Sequence, residues 1–179
     1  MLKDSGDAMK IFVTGVPGVG KTTLVLKIAE DLRKSGFRIG GMVTQEVREQ
    51  GKRVGFKIRA LDTNEEGTLA WVGEGYPRVG KYFVNVEDLD KIGVSAIRRA
   101  IRNADVIIID EIGAMEFKSK EFAKVIEEAL RSEKPLLATL HRRWVHRFKN
   151  KGKLYVLTEE NREKIREEIS HELLKALSP

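Results

Sequence analysis

The run Gly15-Val16-Pro17-Gly18-Val19-Gly20-Lys21-Thr22 places glycines, a lysine and a hydroxyl at the spacing GxxxxGK[ST]. Glycines reach backbone angles that turn successive N–H groups inward, which makes a cradle for an anion. A helix opening directly behind such a loop adds the positive end of its dipole. Lys21 can then reach the β- and γ-phosphates of a nucleotide, and the Thr22 hydroxyl can ligate Mg2+. The bland alternative is a glycine turn joining a strand to a helix. The motif does lie between a strand pattern and a helix pattern, as the phosphate-binding mechanism requires.

A second chemical run is Val106-Ile107-Ile108-Ile109-Asp110-Glu111, an apolar stretch ending in two carboxylates. Beside a phosphate loop, Asp110 is placed to hold the Mg2+ hydration shell opposite Thr22, so that it meets the metal through water. Glu111 is placed to polarise a water for in-line attack on the γ-phosphate. A carboxylate next to the metal-binding acid favours water as nucleophile, hence hydrolysis over transfer to a bound metabolite. Acids at a strand end also occur as solvated turn residues.

The elements that must position these groups follow from hydropathy. Lys10–Thr14 is a short buried strand, and Leu24, Val25, Ile28, Ala29 and Leu32 make one face of the next helix. Ile39–Thr44 reads as a second strand. Within Glu46–Val86, alternation and the punctuating glycines Gly51, Gly67, Gly73, Gly75 and Gly80 predict antiparallel strands at Arg53–Leu61, Thr68–Val72 and Lys81–Val86. A helix over Ile92–Arg102 precedes Asp105–Ile109, whose β-branched run suits a strand covered on both faces. Ser119–Arg131 is an amphipathic helix, Leu136–Leu140 and Leu154–Leu157 are strands, and Thr158 is the expected N-cap of a last helix. Alternating strands and helices imply a three-layer α/β sheet, mainly parallel, with an antiparallel β insertion over about Glu46–Val86. Residues 9–179 read as a single domain preceded by a flexible N-terminal extension, Met1–Ala8.

Composition removes other classes. The 179 residues are 41% hydrophobic and 34% charged, so a disordered or collagen-like chain is excluded. No apolar run reaches the ~18–20 residues of a membrane span, and the N-terminus has no signal core. With no cysteine, thiolate catalysis and cysteine zinc sites are out. A cytoplasmic protein is expected. High charge with two glutamines, Gln45 and Gln50, is a thermophile-like composition. The net charge of +6 equals the six cations of His141–Lys153, a tract without acids that also holds Trp144 and Phe148. Cations interleaved with aromatics suit RNA or single-stranded nucleic acid; they equally suit a solvated loop or a rim that draws in anionic nucleotides.

Four stretches together carry a resemblance: GVPGVGKTTL at Gly15–Leu24, TQEVREQGKRVGFKI at Thr44–Ile58, VIIIDEIGAMEF at Val106–Phe117 and TEENRE at Thr158–Glu163. The chain resembles the THEP1-type nucleoside-triphosphatases from Met9 to about Leu177. The phosphate loop is shared by all P-loop proteins; the second and third stretches are more specific. The resemblance implies a P-loop NTPase fold and Mg2+-dependent hydrolysis of ATP, GTP and other nucleoside triphosphates to diphosphate and phosphate, with loose base selectivity. It implies two nucleotide-binding runs: Gly15, Val16, Pro17, Gly18, Val19, Gly20, Lys21, Thr22 and Thr23, and Val106, Ile107, Ile108, Ile109, Asp110, Glu111, Ile112 and Gly113. Lys21 and Glu111 are the expected catalytic residues. Two alternatives stand beside this reading, a nucleoside or nucleotide kinase and a nucleic-acid-dependent ATPase that uses His141–Lys153.

Secondary candidates follow from position. The resemblance implies that Leu136–Leu140 lies between the phosphate-loop strand and the Asp110 strand, so that Thr139 or His141, at its end, can touch the attacking water or the γ-phosphate. Arg48, Arg53, Arg142 and Arg143 are candidates to neutralise transition-state charge. Asn161 and Arg162 can contact a base or merely cap the last helix.

Overall fold

The computed structural model describes residues 9–178; the expected extension Met1–Ala8 lies outside them. Nine strands form one sheet in the order β5-β6-β4-β3-β2-β7-β8-β1-β9. The strands are β1 (Lys10–Thr14), β2 (Ile39–Glu49), β3 (Lys52–Ala60), β4 (Glu66–Val72), β5 (Arg78–Val79), β6 (Tyr82–Val84), β7 (Val106–Ile112), β8 (Leu136–Leu140) and β9 (Lys153–Val156). The helices are α1 (Lys21–Lys34), α2 (Val86–Asp88), α3 (Ser95–Asn103), α4 (Lys120–Arg131), α5 (Val145–Phe148) and α6 (Arg162–Leu177).

From β2 through β9 every pairing is parallel, and from β2 through β5 every pairing is antiparallel. The fold is therefore the expected three-layer α/β sheet with an antiparallel insertion. Alternate residues of β7 feed opposite faces. Ile107 and Ile109 pack with Phe12, Met42, α3 and α4, while Val106 and Ile108 pack with Ile11, Val13, α1 and α6. That two-sided burial explains the unbroken β-branched run.

Lys10 is 7% exposed, yet its ammonium donates to the carbonyls of Ala129, Ser132 and Lys134 at 3.2, 2.7 and 2.8 Å. It thereby satisfies the C-terminal end of α4 and the turn behind it, where helix carbonyls lack partners.

Several boundaries differ from the sequence expectation. β2 does not stop at Thr44 but runs to Glu49, so one strand belongs to both the parallel core and the hairpin with β3. β5 has only two residues, too few for a periodic pattern. The helix expected over Ile92–Arg102 begins earlier, at Val86, and passes through a π-helical stretch, Leu89–Val94, before α3. Thr158 is not the N-cap of α6: the helix starts at Arg162 behind Asn161. Thr158 instead forms a turn with Asn161, its N–H donating to the Asn161 side chain at 2.7 Å while its hydroxyl accepts from the Asn161 N–H at 3.3 Å.

Candidate functional site

The phosphate loop leaves the C-terminal end of β1 and enters α1. Gly15 is there because its neighbours leave no room: a Cβ would sit 2.8 Å from the Leu157 carbonyl oxygen and 2.9 Å from Val19 Cγ1. Gly20, at φ 106°, holds a left-handed conformation that strains other residues and serves as N-cap of α1. No side chain caps that end, so the N–H groups of the first turn keep their donors for an incoming anion.

Strand order brings the second run to the same edge. β8 lies between β1 and β7, as expected, and the Thr14 hydroxyl donates to the Leu140 carbonyl at 3.0 Å to lock β1 to β8 there. Asp110 and Glu111 are not beyond the strand but within β7, which continues to Ile112. Lys21 Nζ lies 2.9 Å from Glu111 Oε2, and Thr22 Oγ1 donates to Asp110 Oδ2 at 2.8 Å. The two sequence motifs, 88 residues apart, thus converge side chain on side chain. Val106–Ile109 stay buried in the core, so that run meets the site only through its last residues.

Asp110 is 1% exposed. Its other oxygen accepts from the Thr139 hydroxyl at 2.6 Å, and the Thr44 N–H approaches Oδ2 at 3.4 Å. Burial pushes its carboxyl up to about 6, against the pull of the Thr139 and Thr22 hydroxyls. Glu116 is an acid that the sequence reading passed over. It is 4% exposed and its carboxyl is raised well above the ordinary range, first by burial and then by the charge of Glu111. Nothing in its spacing marked it, because its burial depends on the turn that follows β7.

The donor set suits Mg2+. Thr22 and Asp110 present a hydroxyl and a carboxylate oxygen, hard ligands of the kind that ion takes while keeping waters and phosphate oxygens for its other positions. Among the described residues no group of three or more His, Cys, Asp or Glu is arranged as an all-protein metal site.

A cavity of about 420 Å³ opens against the outer side of the phosphate loop. Its walls are Thr14–Val19, Val156–Glu160 and Arg142, with Val16 and Val156 each 55% exposed. The Arg162 Nε donates to the Val19 carbonyl at 2.9 Å, and Arg166 pairs with Asp31 at 2.9 Å, which fastens α6 to the loop and to α1. Arg162 thus braces the phosphate loop, and the Asn161 side chain donates to the Val156 carbonyl at 2.9 Å. A larger hollow, about 550 Å³, lies at the opposite end of the sheet, and its arginines are engaged with Leu61, Asp62 and Asp105.

Of the secondary candidates, Thr139 spends its hydroxyl on Asp110. His141 accepts from the Arg143 N–H at 3.2 Å to open the turn Arg142–Trp144. In the basic tract Phe148 is buried, Trp144 stacks on Phe117 with centroids 4.5 Å apart, and Arg147 lies over Trp144 at 4.7 Å. The aromatic rings therefore pack inward instead of forming an exposed stacking surface.

Comparison with known proteins agrees with this geometry. The family profile described as NTPase matches residues 10–170. The nucleoside-triphosphatase THEP1 of Methanocaldococcus jannaschii is 62% identical over 169 residues, covering 94% of this chain and 99% of that protein. The chain belongs to the THEP1 nucleoside-triphosphatase family. Its relative of the same name in Pyrococcus abyssi is 55% identical over 169 residues, 94% of each chain. The crystal structure of THEP1 from the hyperthermophile Aquifex aeolicus superposes with a TM-score of 0.81 at 37% identity, over 92% of this chain and 99% of that one. The solution structure of a human cancer-related nucleoside triphosphatase follows at 0.76 and 32% identity, over 94% and 98%.

Proposed function

We propose that the protein hydrolyses nucleoside triphosphates, ATP and GTP among them, to diphosphate and phosphate with Mg2+ and little regard for the base. The observation that carries the reading is the convergence of Lys21 on Glu111 and of Thr22 on Asp110 at the mouth of an uncapped helix. The loop N–H groups and Lys21 bind the triphosphate, which takes Lys21 from Glu111. The freed Glu111 carboxylate orients a water and accepts its proton as the water oxygen bonds to the γ-phosphorus. The bond to the bridging oxygen breaks, and the diphosphate keeps that electron pair. Asp110, held by Thr139, and the Thr22 hydroxyl would hold the Mg2+, whose chemistry is to offset phosphate charge. Loose base selectivity is supported by the cavity beside the loop, where the exposed Val16 and Val156 offer apolar surface that any base can cover.

Purified protein is incubated with ATP, GTP, CTP and UTP, with and without Mg2+ and with nucleosides as acceptors. Phosphate release from all four without an acceptor, and its loss in Lys21→Ala, is expected. A new phosphorylated nucleoside in place of free phosphate would replace the hydrolase by a kinase.

A further inference from the structure

As the γ-phosphoryl group leaves, charge collects on its oxygens, and a guanidinium placed there is worth ~10³–10⁵ in rate. The sequence nominates four arginines and the structure separates them. Arg48 and Arg53 both rest on Glu46, and Arg53 also lies over the Phe56 ring at 5.6 Å. Arg143 is exposed and takes no part in the cavity wall. Arg142 lines the cavity together with Gly15 and Gly18 of the phosphate loop and has no ion pair among the described residues.

Its backbone is fixed even though its side chain is exposed. It opens the turn Arg142–Trp144, with the His141 ring capping one end and Trp144 stacked on Phe117 at the other. That turn leaves β8, which stands between β1 and β7 and so on the Asp110 side of the phosphate loop. The acids of the same cavity, Glu159 and Glu160, follow β9 on the other side of β1. The cavity is polarised, with its cation toward the metal-side carboxylate and its anions toward the far end.

We infer that Arg142 is a catalytic residue, which supplies in cis the guanidinium that neutralises the γ-phosphoryl group as its bond to the diphosphate breaks; this rests on the hydrolase reading above. An unpaired side chain follows the phosphate without first breaking an ion pair. Its planar fork of donors fits phosphoryl oxygens two at a time, which a lysine cannot do.

The test compares wild type with Arg142→Ala, Arg142→Lys and, as control, Arg143→Ala. Steady-state phosphate release is measured, along with affinity for ADP–aluminium fluoride and for a non-cleavable ATP analogue. Arg142→Ala is expected to lower kcat about 10³-fold, to bind the non-cleavable analogue within about threefold of wild type, and to lose its preference for the fluoride complex. Arg142→Lys should recover only a small part, and Arg143→Ala should behave as wild type. Unchanged kcat in Arg142→Ala, with or without a raised KM, overturns the assignment. Wild type that traps the fluoride complex no better than Arg142→Ala overturns Arg142 alone. Wild type that binds neither complex overturns the hydrolase reading and Arg142 with it.

Discussion

Without nucleotide, Lys21 is occupied by the residue proposed as base, so a triphosphate must win it from Glu111. The pair is 2.9 Å apart with side chains 13% and 27% exposed, shielded enough that solvent does not erase it. An exposed ion pair contributes about 0.2–1 kcal/mol, and a partly shielded one somewhat more, about 1–1.5 kcal/mol. Glu111→Gln keeps the shape and a hydrogen bond from the charged Lys21 ammonium but loses the ion-pair attraction, so it relieves the competition by about 1–1.5 kcal/mol, or roughly tenfold in affinity. The same change removes the proton acceptor, which costs ~10²–10⁴ in turnover. Glu111→Gln should therefore bind a fluorescent ATP analogue about tenfold more tightly than wild type and hydrolyse ATP at least a hundredfold more slowly. Titration of the analogue at pH 7.5 with Mg2+, with phosphate release measured in parallel, reads both. Unchanged or weaker binding would refute the idea that Glu111 holds Lys21 in reserve.

Other outcomes can be checked together. Lys10→Met removes three bonds to carbonyls around the end of α4 and should lower stability by about 1–3 kcal/mol, seen as a fall of several degrees in Tm. Burial lowers the Lys10 ammonium to about 8 from 10.5. Between those values the unfolded chain holds a proton that the folded chain has lost, so stability rises with pH there. The advantage of wild type over Lys10→Met, measured by denaturant titration, should accordingly widen as pH goes from 8 toward 10.5. Thr22→Ala should raise the Mg2+ concentration needed for half-maximal turnover while leaving the circular dichroism spectrum unchanged; an unaltered Mg2+ curve would remove Thr22 from the metal site. Single-stranded RNA should leave ATP hydrolysis unchanged, because the aromatic residues of the basic tract are packed inward; a rate rise of about tenfold with steep salt dependence would reverse that.

The parts of the site that were legible are those whose chemistry is local. Gly15–Thr22 and Asp110–Glu111 each declare a function through spacing along a few residues, and the β-branched run of β7 declares its own burial. The rest depends on side-chain partners that only the folded chain settles. β8 lies between β1 and β7 as the resemblance implies, yet the Thr139 hydroxyl goes to Asp110 rather than to a substrate. Glu116 is buried by a turn beyond β7, where no periodicity forewarns of it. β2 reads as two pieces because its first half is covered on both faces and its second half is exposed, although the backbone is continuous. Thr158 looks like a cap by residue type, but the helix waits for Asn161 because both side chains are used inside a turn.

The bond from Arg162 to Val19 spans 143 residues and sets an order of events during synthesis. The anion cradle leaves the ribosome 143 residues ahead of the arginine that steadies its outer wall. At ~5–20 residues per second, that interval lasts roughly 7–30 s. Until α6 docks, a nascent chain holds the glycine loop without this brace.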